Sequence, residues 1–281
     1  MNLRGGRLSG IIRFSLAMKQ KDNNKFNSSI HNSPQYCLKA KMGLHWMERL
    51  RKAVLRRLLP TSRMIKIEVQ GHVMVIDKTH LPSLYYNGVH EPETTEYLKA
   101  NVKPGSVVVD IGANVGYFTL VFASLVGASG KVFSFEPDER IFHILTENIR
   151  LNGYQNINLD SRAVSDNNGR QRFYLNSHLS RSGLTPSGST KRITEVETVK
   201  LDTLNFERVD WVKIDVEGAE VSVLKGMKRT ISDNPDIQLI VEFVPEHILD
   251  SGHTVDEFFD LLDGFDFCGV DNNLVCFRNR I

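Results

Sequence analysis

The sequence predicts an α/β fold, a mostly parallel sheet covered by helices on both faces. Three observations carry this. From residue 106 onward, short apolar runs alternate with stretches of helical length, the pattern of successive βαβ units. The first run, SVVVDI over 106–111, has the near-continuous apolar character of a strand buried on both sides. A glycine-containing loop, DIGANVG over 110–116, joins that run to the next helix, where open parallel sheets bind ligands.

Composition sets the outer bounds. The chain has 281 residues, 41% of them hydrophobic and 24% charged. Those proportions exclude a wholly disordered chain, a collagen-like fibre and a disulfide-stapled miniprotein. No apolar stretch reaches the ~18 residues of a membrane-spanning helix. Three cysteines, Cys37, Cys268 and Cys276, form neither an even framework nor a CxxC pair. They fit a reducing, cytoplasmic setting and argue against a zinc site.

The formal charge of +2 hides an asymmetry. Residues 1–63 hold 14 Lys+Arg against 2 acids, Asp22 and Glu48, a net +12; the rest holds 21 against 31, a net −10. The acidic body is a poor partner for nucleic acid, which selects basic faces. Residues 1–42 read as a disordered basic arm. Its acid-free start, with Arg4, Arg7 and Arg13, resembles a targeting segment; a start at Met18 or Met42 is the alternative. Over 43–63 an amphipathic helix is expected, with Leu44, Met47, Leu50, Val54 and Leu58 on one face and Arg49, Lys52 and Arg56 on the other. Such a helix either packs on the body or lies on an anionic membrane surface.

The body, 64–281, follows in order. Residues 64–77 read as a hairpin turning at Gln70-Gly71, and 91–102 as a helix with Pro92 near its start. Strands are expected over 106–111, 131–136, 157–164, 209–215 and 237–243. Helices are expected over 115–127, 138–152, 217–229 and 254–263. An inserted hairpin, 170–175 with 193–200, brackets a Ser/Gly-rich loop over 177–190 that carries Arg181 and is placed to close over a substrate. The last two runs, 266–271 and 273–279, read as an antiparallel pair.

The glycine loop carries the first chemical signal. Gly112 and Gly116 would let the backbone turn sharply and approach a ligand, and exposed amides there would suit a carboxylate or phosphate. An acid at the entrance, Asp110, would repel a diphosphate but accept from an ammonium group. Glu136, ending the second strand, is placed to accept from ribose hydroxyls. A ribose, an amine and a carboxylate describe S-adenosylmethionine better than NAD.

The second constellation is KIDVEGAE over 213–220. Parallel strands point their carboxyl ends to one edge, so Asp215, Glu217 and Glu242 should all face the crevice. A helix starting near 217 would keep Asp215 and Glu217 charged. They would then orient a hydroxyl or hold a divalent ion rather than act as a base. The bland alternative is helix capping, which suits Glu220 best. His247, just past the fifth strand, is a further candidate base.

In order and spacing, VVVDIGANVGYFTL, FSFEPD, AVSD, TVKLDTL and WVKIDVEGAE resemble the FkbM-type S-adenosylmethionine-dependent methyltransferases over about 90–245. The resemblance implies a Rossmann-like class I methyltransferase fold, seven strands with the last antiparallel. It implies O-methylation of a small-molecule or glycan hydroxyl. It places Asp110, Gly112, Asn114, Gly116 and Tyr117 on the methionine side of the cofactor, Glu136 at the ribose, and Ala163, Val164 and Asp166 beside the adenine. Asp215 and Glu217 match the family's signature acids. Competing readings are an RNA or protein methyltransferase, against which the missing [DN]-P-P-[YF] segment weighs, and a membrane-peripheral protein with a vestigial pocket.

Overall fold

A computed structural model describes residues 64–79, 81–176, 182–186 and 190–278. The basic arm, the helix expected over 43–63 and most of the 177–190 loop, Arg181 included, lie outside the described residues.

The chain opens with β1 (Met64–Val69) and β2 (His72–Asp77), paired antiparallel. Gln70 and Gly71 both take positive φ, 52° and 78°, the backbone that twists a two-residue hairpin correctly. Helix α1 (Pro82–Asn87) was not expected; Pro82 lies in its first turn. Helix α2 (Pro92–Asn101) was. The body then runs β3 (Val107–Ile111), α3 (Tyr117–Val126), β4 (Lys131–Phe135), α4 (Glu139–Asn152), β5 (Ile157–Asp160), β6 (Ala163–Val164), β7 (Gly169–Asn176) and β8 (Thr190–Val199). It continues through β9 (Trp211–Ile214), α5 (Glu220–Gly226), α6 (Lys228–Asp233), β10 (Gln238–Glu242), α7 (Pro245–Asp250), α8 (Val255–Leu261), β11 (Asp266–Val270) and β12 (Asn273–Phe277).

Seven strands form the central sheet in the order β11–β12–β10–β9–β3–β4–β5. Pairing is parallel from β10 through β5, while β12 runs antiparallel to both neighbours. This is the Rossmann-like class I methyltransferase sheet, with the last strand reversed. Val108 and Val109 on β3 point to opposite faces and are both fully buried, so the sheet is covered on both sides. From β3 the chain steps outward to β4 and β5, then returns to place β9 on β3's other flank. Right-handed crossovers moving in opposite directions put their helices on opposite faces. The switch between β3 and β9 leaves a crevice at their carboxyl ends, where the amide of Asp215 donates to the carbonyl of Ile111 at 3.0 Å.

Three elements depart from the expected boundaries. The strand expected over 157–164 breaks, because Asp160 turns to accept the Arg162 amide and pair with its guanidinium. Residues 163–164 then join a separate three-stranded sheet, β6–β8–β7. The helix expected over 217–229 starts only at Glu220 and is interrupted at Met227. Glu217 and Gly218 have φ of 55° and 101°, outside helical space. Helix α7 occupies residues read as loop.

Helix α4 holds the hairpin through its side chains. Asn148 accepts from the Val75 amide and donates to the Val75 and Val115 carbonyls, while Asn152 accepts from and donates to Val73. The two asparagines, one helical turn apart, stand in for a neighbouring strand along β2. Among the described residues, no helix is long and apolar enough to cross a membrane.

Candidate active site

A cavity of about 380 Å³ opens at the carboxyl ends of β3, β4, β9 and β10, within the ~300–1,000 Å³ range of small-ligand sites. Gly112, Asn114, Glu136, Ala163, Val164, Asp215, Glu217 and Glu242 all line it. Asp110, Gly116, Tyr117 and Asp166 are not among its lining residues.

The glycine loop is built differently from expectation. Gly112 and Ala113 donate their amides to the Phe135 carbonyl, Asn114 to Glu136 Oε2, Val115 to the Asn114 side chain and Gly116 to the Ala113 carbonyl. All five amides are therefore used inside the protein, and the loop is not an anion cradle. Gly112 is required by the fold rather than by a ligand. A Cβ there would overlap the carbonyl oxygen of Asp215, and its φ is +82°. Gly116, at φ +91°, would bring a Cβ to 2.6 Å from Leu145 on α4. Asp110 lies under the loop and accepts from Thr119 Oγ1 at 2.6 Å; burial pushes its carboxyl up, against the pull of Lys213. Tyr117 donates to or accepts from Thr95 at 3.0 Å and packs edge-on against His90. Asp166 lies in the turn after β6 and accepts from Asn167.

Glu136 is fixed at both oxygens. Oε1 accepts from the Asp138 amide and Oε2 from that of Asn114, each at 2.9 Å. Burial pushes its pKa up to about 8 despite these bonds. Each oxygen retains acceptor capacity toward the cavity. Beside it, Ile141, Ala163, Val164 and Phe173 form an apolar slot. A carboxyl group anchored at both oxygens beside apolar side chains fits a ribose with its base, so these residues suit S-adenosylmethionine.

The opposite end is polar. Lys213 is 1% exposed, and its Nζ donates to Asp215 Oδ2 at 2.8 Å while lying 4.6 Å from the centre of the Phe118 ring. Burial alone would lower the lysine's pKa; Asp215, Glu91 and Asp110 together hold it above its ordinary value. Burial would raise Asp215, but Lys213 holds it below the usual range. Asp215 is thus a permanent carboxylate tied to a buried ammonium, not the helix cap considered from sequence, since α5 begins five residues later. Glu220 takes the capping role, accepting from the Val216 and Gly218 amides. Burial raises it to about 7. Glu242 is pushed to about 10, by burial and then by the carboxylates of Asp215, Glu217 and Glu220. His247 lies in α7, its Nδ1 3.9 Å from both Glu217 and Glu242.

Sequence reasoning missed His90 and Glu91. Both line the cavity from the link between α1 and α2. His90 Nδ1 is 3.0 Å from Ser83 Oγ, and Nε2 is 3.7 Å from Glu91 Oε1. Burial lowers the His90 pKa, against the pull of Glu91 and Asp215. Their placement comes from far along the chain. The turn after β11 supplies Asp271, which accepts the amide and hydroxyl of Thr94 at the start of α2, and Asn273 donates to Glu91. Nothing local in the string around His90 signals that anchor. On another side, Ser182 to Leu184 line the cavity: Gly183 pairs with Tyr174 on β7, and Thr185 donates to the Gly218 carbonyl.

Comparison with known proteins agrees with this geometry. A family model described as the methyltransferase FkbM domain matches residues 110–269. The chain belongs to the FkbM methyltransferase family. It is 32% identical over 214 residues to the 31-O-demethyl-FK506 methyltransferase FkbM of Streptomyces tacrolimicus, covering 62% of this chain and 78% of that protein. It is 28% identical over 184 residues to the 2-O-methyltransferase NoeI of Sinorhizobium fredii, covering 58% and 74%. It is 30% identical over 145 residues to the hexuronic acid methyltransferase AglP of Haloferax volcanii, covering 50% and 58%. As an FkbM-family protein it is an S-adenosylmethionine-dependent methyltransferase.

Proposed function

We propose that this methyltransferase moves the methyl group to a hydroxyl oxygen of a small molecule or glycan. The observation that carries the reading is one cavity with a ribose-type acceptor, Glu136, at one end and His90 facing carboxylates at the other. Relatives named for 31-O and 2-O methylation and for a hexuronic acid support the same acceptor class.

Glu136 holds the ribose, Ala163 and Val164 flank the adenine, and Gly112 with Asn114 borders the methionine end. When bound, S-adenosylmethionine supplies an electrophilic methyl group on a sulfonium. The protein's work is to hold the acceptor oxygen in line, at about 3 Å from its target, and to take away its proton. With Nδ1–H donating to Ser83, His90 Nε2 carries the free lone pair. His90 therefore accepts the hydroxyl proton, and the imidazolium formed pairs with Glu91. Asp215, kept ionised by Lys213, accepts a hydrogen bond from the acceptor and orients it.

Two measurements test this. Isotopically labelled cofactor is incubated with the protein and a cell-extract fraction, and mass spectrometry identifies the labelled product. Label in an O-methyl group of a small molecule or glycan is expected; label confined to RNA or protein would overturn the reading. His90→Ala should then lower kcat on that acceptor ~10²–10⁴-fold with cofactor affinity unchanged. A rate equal to wild type would remove His90 from the mechanism.

A further inference from the structure

We propose that Glu217, Glu242 and His247 bind one divalent first-row transition-metal ion at the acceptor end of the cavity. One carboxylate oxygen from each glutamate and a ring nitrogen of His247 lie within 4.8 Å of one another. His247 Nδ1 stands 3.9 Å from Glu217 Oε2 and 3.9 Å from Glu242 Oε2. That is too long for a hydrogen bond. Ligand atoms each about 2.1 Å from a common ion stand between about 3.0 and 4.2 Å apart, and both distances fall in that interval.

A second observation is independent of the clustering. Glu242 Oε2 and His247 Nδ1 are shielded from solvent and make no hydrogen bond. Leaving two such atoms unsatisfied is costly and uncommon, and here they face each other. The nearby ammonium of Lys213 donates to Asp215 at 2.8 Å.

Rigid elements bring the three ligands together. Glu242 ends β10, and His247 sits in α7. Glu217 is held at φ 55° in the bend after β9. The next residue, Gly218, lets that bend touch α7, since a Cβ there would lie 3.1 Å from the His247 carbonyl oxygen. From sequence, Asp215 was grouped with Glu217 and Glu242; the structure ties Asp215 to Lys213 and puts His247 in its place. An imidazole with two carboxylates suits Mn²⁺, Fe²⁺ or Zn²⁺ better than Mg²⁺ or Ca²⁺, which favour all-oxygen shells. The role of the ion rests on the O-methyltransferase reading: an acceptor hydroxyl bound to it would lose its proton more readily, toward His90. Its binding does not depend on that reading.

The test titrates the metal-stripped full chain with Mn²⁺ alone, followed by electron paramagnetic resonance. One ion per chain is expected, with nitrogen modulation from one imidazole in spin-echo spectra of the wild type. His247→Ala and Glu242→Gln should each weaken binding at least tenfold, and Glu246→Gln, an exposed neighbour, should leave it unchanged. Thermal melting and cofactor titration check that the variants fold; the nitrogen signal decides the matter without them if they do not. Absence of a stoichiometric site, absence of nitrogen modulation, or binding unaffected in folded His247→Ala would overturn the proposal. Label transfer that persists in chelator separates the two ideas: the methyltransferase reading then stands without a catalytic ion. Mn²⁺ binding without label transfer leaves the ion site standing alone.

Discussion

If Glu136 holds the ribose as proposed, it is the residue at which fold and cofactor pull in opposite directions. Its burial favours the protonated form, with a pKa of about 8 and with Asp138 and Asp110 adding repulsion, whereas ribose hydroxyls need the carboxylate. The folded value lies above the ordinary 4.5. The ligand-free protein therefore loses stability as pH rises from about 4.5 through 8, and cofactor binding must expel the proton below pH 8. Cofactor affinity is expected to climb between pH 6 and 8, by at most tenfold per unit, and to level off above. Calorimetry at pH 7 in buffers of different ionisation enthalpy should find about one proton released; affinity flat across this window would show that Glu136 is already ionised. Asp215 makes the complementary case. Asp215→Asn strips Lys213, 1% exposed, of its closest partner and is expected to cost about 3 kcal/mol of stability. Lys213→Met in the same chain should restore much of that loss in denaturant titrations. A double variant no more stable than Asp215→Asn would show that the ion pair is not the reason. Loss of turnover in Asp215→Asn alone would mix these two effects, so activity and stability must be measured together.

At the scale of elements, the site is assembled by polar side chains acting between segments distant in sequence. Asn148 and Asn152 bind the backbone of β2 as a neighbouring strand would. Asp271, in the β11–β12 turn, caps α2 from far along the chain. Asn148→Ala removes bonds to Val75 and Val115 and is expected to destabilise the protein by about 2–4 kcal/mol, at roughly 1 kcal/mol or more per bond. The loss should be local: in hydrogen-exchange mass spectrometry, amides of 64–77 should exchange faster while those of β3 and β9 stay protected. Uniform loosening would mean that the hairpin is not held separately. The string shows Asn148 and Asn152 as ordinary polar residues near a helix end, and only the packed hairpin gives them a role.

Across the whole molecule, much of the architecture was legible because parallel βαβ units write themselves in short apolar runs of strand length. The runs at 106–111, 131–136, 209–215 and 237–243 all became strands of the central sheet. The Gln-Gly turn and the helices at 92–101 and 139–152 followed from local rules of φ and periodicity. Parallel order also brought Gly112, Glu136, Asp215, Glu217 and Glu242 to one edge, since every parallel strand ends on the same side. The short helices α1 and α7 escaped notice, being too brief to show a period. The split at 160–163 rests on one side chain turning back on its own backbone. The sequence by itself thus determined the sheet, its family and the acids at its carboxyl edge, because these depend on near-neighbour patterns. The tertiary structure alone decided which atoms remain open. It showed the loop amides already consumed, Asp215 bound to Lys213, His90 carried into the cavity by a segment far from the signature motifs, and His247 brought against Glu217 and Glu242. Hydrogen bonds and burial are properties of pairs brought together in space, and spacing along a chain does not record them.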